Sequence, residues 1–61
     1  MTEEREIKVL TVPEVGRILN IGRASAYALV RQEGFPVIQI GRQLRVPEDA
    51  LYRWMSSQTA R

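Results

Sequence analysis

Arginine is the residue type with chemistry to offer. Eight of the nine basic residues are arginine, with Lys8 the exception. Five of them, Arg17, Arg23, Arg31, Arg42 and Arg45, fall between residues 16 and 47, where Glu33 is the sole acid. The other acids sit mostly toward the ends, at Glu3, Glu4 and Glu6 and at Glu48 and Asp49. A guanidinium is a planar fork that grips phosphate or guanine through two parallel hydrogen bonds. A basic middle in a chain of net charge only +2 therefore points to a polyanionic partner. Scattered charge also keeps any surface soluble, and charge alone does not separate the two readings. Other chemistries lack their residues. With no Cys and no His there is no disulfide scaffold, no Cys/His zinc site and no Cys or His catalytic centre. No nucleophile–base pair or phosphate loop is visible, so an enzyme is not expected and no cofactor is implied.

The elements that must position these arginines can be read along the chain. At 61 residues this is one small domain or a fragment of one, and any core is thin. A hydrophobic fraction of 44% is too apolar for disorder. No apolar run approaches the roughly 18 residues of a membrane helix, and no signal peptide is visible, so the expected compartment is the cytoplasm. Residues 1–6 read as a flexible tail, 7–56 as the domain and 57–61 as a frayed end. Residues 7–10 suit a short strand or an extended lead-in. Thr11 and Glu14 have capping-box spacing, Pro13 suits a first turn, and Leu10 and Val15 occupy the staple positions. This predicts a helix to about Leu19. Asn20 tolerates the left-handed conformation that ends helices. Gly22 opens a second helix to about Gln32, with Ala26, Leu29 and Val30 inward. Gly34 and Pro36 stop it.

Residues 37–40 and 44–46 are short and β-branched, so they read as strands around Gly41-Arg42-Gln43. A three-residue turn would pair Ile40 with Leu44 and Ile38 with Val46. It gathers the apolar residues on one face and is preferred on that ground over a two-residue turn. Pro47, Glu48 and Asp49 open a third helix with Leu51, Trp54 and Met55 inward, fraying from Ser56. Trp54 reads as core rather than as a base-stacking platform, and Phe35 as a plug under the hairpin. Glu48 and Asp49 read as helix-start acids rather than an acid/base pair.

The segment from Glu14 to Val30 has helix-turn-helix spacing. Small Gly16 lets two helices cross closely, Asn20 makes the turn, and Leu19, Ile21, Ala26 and Leu29 hold the angle. The second helix can then lie in a major groove; a plain helical hairpin is the bland alternative. Arg23, Ala24 and Ser25 form its first turn, and Ala24, Tyr27, Ala28 and Arg31 share one face. Arg23 is the first candidate for a base contact. Ser25 and Tyr27 carry hydroxyls suited to phosphates, although Tyr27 also fits a half-buried aromatic. Ala24 and Ala28 allow close approach and contact with thymine methyls. Arg31 suits a phosphate clamp or the helix's negative end. Arg42, Gln43 and Arg45 on the hairpin read as a wing for the minor groove or its phosphates. The fold class is α+β, mainly α: a winged helix-turn-helix with a two-stranded wing and a third helix.

Four stretches resemble the small excisionase-type helix-turn-helix domains with a MerR-like winged-helix fold. They are Leu10 to Val15, Leu19 to Tyr27, Phe35 to Arg42 and Arg45 to Leu51, in order and at family spacing. The resemblance spans roughly residues 9–55. It implies double-stranded DNA binding by the second helix and wing, with Arg23, Tyr27 and Arg42 at positions that commonly touch DNA. It also implies several copies bound on adjacent sites and a tyrosine-type or other integrase as partner in site-specific excision. The chain departs from the pattern at Asn20, where Gly is usual, at Gly22, where Ser is usual, and at Ala28, where a basic or polar residue is common. No dimerisation helix is seen after the third helix, which favours an architectural protein over an effector-sensing regulator. A small transcriptional regulator using the same surface and a protein-interaction adaptor are the alternatives.

Overall fold

The computed structural model describes residues 8–58. Along the chain run β1 (Val9–Leu10), α1 (Val12–Leu19), α2 (Arg23–Val30), β2 (Ile38–Ile40), β3 (Gln43–Pro47) and α3 (Glu48–Ser57). The three helices surround a small antiparallel sheet of order β1-β3-β2, which is a mainly helical winged helix-turn-helix. The lead-in is a strand: Val9 pairs with Pro47 and Leu10 with Val46. The Glu48 N–H donates to the Lys8 carbonyl at 2.9 Å, so the start of the domain is tied to the start of α3.

The capping box of α1 is complete. The Thr11 N–H donates to Glu14 Oε1 at 2.8 Å, and the Glu14 N–H donates to Thr11 Oγ1 at 3.2 Å. Leu10 and Val15, the staple pair, both lie in the core with Val12, Ala26, Val30, Phe35, Val46 and Leu51. The other end of α1 closes as a Schellman motif. Asn20 is left-handed at φ 59°, ψ 47°. Its N–H donates to the Arg17 carbonyl, and the Ile21 N–H donates to the Gly16 carbonyl at 2.9 Å. Gly16 sits where α2 crosses. A Cβ there would lie 3.2 Å from the Ile21 carbonyl oxygen and 3.3 Å from the Ala26 Cβ, closer than side chains ordinarily pack.

Three expectations are corrected. The wing has a two-residue turn, not a three-residue one: Ile40 pairs with Gln43, Gln39 with Leu44 and Ile38 with Arg45. Gly41, at φ 61°, occupies the first central position, which is the placement a type II′ hairpin asks of glycine. The preference for gathering every apolar residue failed because the hairpin has only one covered face. Val37, Leu44 and Val46 fill it, and Ile38 and Ile40 are left 44% and 61% exposed on the other. The second helix ends at Val30 rather than near Gln32. Beyond it the Arg31 and Gln32 N–H groups donate to the carbonyls of Ala28 and Leu29, the tight spacing of a closing turn. At the C-terminus α3 keeps Ser56 and Ser57, where fraying was expected. The Ser57 hydroxyl donates to the Trp54 carbonyl at 2.8 Å, and the Gln58 N–H caps Trp54 and Met55. The expected tail at 1–6 and the last residues, 59–61, lie outside the described residues. Trp54 packs against the core as expected and meets the buried Phe35 edge-on, with ring centroids 4.9 Å apart.

Gly16→Val inserts volume where neither the Ile21 carbonyl nor Ala26 can easily give way. A loss of about 1–3 kcal/mol in urea unfolding is expected. The Thr11 backbone N–H holds the Glu14 carboxyl below its ordinary pKa of 4.5. A group whose pKa is depressed by folding contributes stability above its unfolded pKa and loses it as pH falls through the lower folded value. The acid loss of stability should therefore include a step below about pH 4.5 that Glu14→Gln removes, read from the urea midpoint across that range.

Candidate nucleic-acid interface

The surface is built on α2. Arg23, Ala24, Ser25, Tyr27, Ala28 and Arg31 are all exposed, while Ala26 and Val30 anchor the opposite side in the core. A 3.6-residue period makes these two faces of one helix. Tyr27 is 38% exposed and lies outside the buried core cluster.

The helix ends differ in charge. The positive end of α1 is closed by the Thr11–Glu14 box, and α3 begins with Glu48 and Asp49. α2 begins at Gly22 with no side-chain cap and no acid in its first turn. Its amide dipoles and Arg23 thus present uncompensated positive charge at one end of the exposed face.

The wing stands beside this face. Tyr27 from α2, Arg31 at its C-cap and Arg42, Gln43, Leu44 and Arg45 from the wing line an open groove of about 500 Å³. A second cleft continues past Arg31 and Arg42 to Val37 and Gln39. The Arg45 guanidinium is held against its own strand. One nitrogen donates to the Leu44 carbonyl at 2.8 Å and the other to Gln43 Oε1. Five of the nine sequence-derived site residues, Tyr27, Arg31, Arg42, Gln43 and Arg45, therefore converge on one groove. Arg23, Ala24, Ser25 and Ala28 lie along α2 outside its walls.

Sequence reasoning missed Thr11, Val12 and Pro13, which form the far wall. Thr11 was read only as a cap. Pairing of Leu10 with Val46 carries the chain past Arg45 before it enters α1, and that pairing has no local signal.

A helix-turn-helix whose outer helix face and arginine-bearing wing open onto one groove defines a class, the small DNA-binding winged helix-turn-helix domains. The chain belongs to the helix-turn-helix domain family, whose model matches residues 9–59. Within it the chain is of excisionase type, being 39% identical over 51 residues to a Streptomyces ambofaciens protein named "Excisionase", a match covering 84% of this chain and 82% of that one. No solved structure shows a significant match. Among the described residues no helix is long and apolar enough to cross a membrane.

Glutamate at position 28 would place a like charge against phosphate on the exposed face while leaving the core untouched. Ala28→Glu should keep the wild-type melting temperature and weaken duplex binding by at least about tenfold, measured by fluorescence anisotropy.

Proposed function

We propose that this protein is a DNA-binding architectural factor acting as an excisionase, which promotes site-specific excision alongside an integrase. The observation that carries the reading is the shared groove: α2 and the wing direct Arg31, Arg42 and Arg45 to one strip of surface in a chain of excisionase type. α2 enters the major groove, with Arg23 and Ser25 leading and Ala24 and Ala28 permitting close approach. Tyr27 and Arg31 take phosphates between helix and wing. Arg42, Gln43 and Arg45 reach the adjacent minor groove. The role is binding and shaping of DNA, without catalysis, in the compartment that holds the DNA.

Size supports cooperative use of several copies. A single module of this kind buries only about 600–1,000 Å² of protein surface on DNA. Two alanines on the reading face leave few side chains to discriminate bases. Adjacent copies, or contact with an integrase, multiply the specificity of one module.

The test is anisotropy of labelled duplex across a salt series, comparing the ends of an integrated element with unrelated DNA. Steep salt dependence with preference for the ends, and stepwise loading of copies, is the expected result. Arg42→Ala and Arg31→Ala should each lower the salt slope by about one. Absence of binding to either duplex at low salt would overturn the reading.

A further inference from the structure

The wing holds an amide whose orientation is chemically decided. Gln43 Oε1 accepts a hydrogen bond from the Arg45 guanidinium, whose other nitrogen is fixed by the Leu44 carbonyl. Arginine carries donors and no acceptor, so the carbonyl end of the Gln43 amide must be the end that faces it. The Nε2 group then points away from Arg45, and among the described residues no hydrogen bond occupies it. Gln39, by contrast, uses its Nε2 on the Gly41 carbonyl at 3.1 Å. Gln43 is exposed, and it is the first strand residue after the two-residue tip formed by Gly41 and Arg42.

An amide held in this way keeps its oxygen on Arg45 and turns its Nε2 donors outward. The minor groove of an A·T pair shows acceptors only, adenine N3 and thymine O2, and a G·C pair adds the guanine amine, a donor. Outward donors match the first, while in the second the guanine amine meets them donor to donor. Resting on the DNA-binding reading above, we propose that Gln43 is a specificity-determining residue that selects A·T over G·C in the minor groove under the wing. Arg45 is its positioning residue, because it prevents the amide from turning its oxygen toward guanine. The two-residue turn makes the pair possible: it places Gln43 and Arg45 two apart on one strand, on the same face.

The test uses duplexes that this protein itself selects from a randomised pool. Each A·T pair of the selected site is replaced in turn by G·C and by inosine·cytosine. Inosine·cytosine and G·C differ only in the minor-groove amine. At one or two positions beside the α2 half-site, inosine·cytosine should bind about five- to tenfold more tightly than G·C. Gln43→Ala should bring that ratio to about one, and Gln43→Glu, which offers acceptors to the guanine amine, to one or below. Arg45→Met should bring it down too, chiefly by improving binding to G·C relative to inosine·cytosine. A merely structural role for either residue would weaken all duplexes alike and leave the ratio standing. The proposal is overturned if G·C and inosine·cytosine bind equally at every position. It is also overturned if the ratio survives in Gln43→Ala, which would assign the discrimination to groove width sensed by Arg42. Failure to bind any duplex at low salt would overturn the DNA-binding reading and this inference together; salt-sensitive binding without the ratio overturns this inference alone.

Discussion

The close crossing of α1 and α2 is the constraint on which the rest of the molecule depends. Gly16 allows it by having no side chain between Ile21 and Ala26, and Asn20 directs it by turning the chain through a left-handed residue. Each half needs the other. Without the left-handed turn α2 would not return across α1, and without the bare Cα at Gly16 the returning helix would stand off by the width of a methyl group. The angle set there decides which face of α2 is covered and which is presented. It also decides how far the wing stands from Tyr27 and Arg31.

Electrostatics follow from how each helix is closed. Acids sit at the positive ends of α1 and α3, where they stabilise helices whose work is structural. The start of α2 has glycine and then arginine, a poorer helix start on propensity grounds. An acid there would cap the helix better but would cancel the positive end that α2 presents on its exposed face. The crossing at Gly16 and the burial of Ala26 and Val30 supply the support that the cap does not.

The wing shows a similar exchange. Its two-residue turn leaves Ile38 and Ile40 exposed, which a sheet built for stability alone would avoid. In return the strand after the turn carries Gln43 and Arg45 side by side, and the Arg45 guanidinium is anchored to its own backbone rather than swinging free. Ordering a long side chain before a partner arrives lowers the entropy lost on binding.

Much of this protein is determined locally and is legible in the sequence. Thr11 and Glu14 define the start of α1, Asn20 its end, Ala26 and Val30 the inner face of α2, and Glu48 and Asp49 the start of α3. Capping, left-handed turns and 3.6-residue periodicity involve residues a few positions apart, so their physics is contained in a short window of chain. The helix-turn-helix and the outer face of its second helix follow from those rules. The hairpin register did not, because apolar patterning assumes that every isoleucine seeks burial, while Gly41 and the single covered face of the wing set the pairing. The far wall of the groove, Thr11 to Pro13, and the grip of Gln43 and Arg45 also escaped sequence reasoning. The wall depends on β1 pairing with β3 across most of the chain, and the grip on the hairpin register that puts Gln43 in β3. Which distant segments meet is decided by the shared core that buries Leu10, Val46 and Leu51 together, and only the tertiary structure contains it.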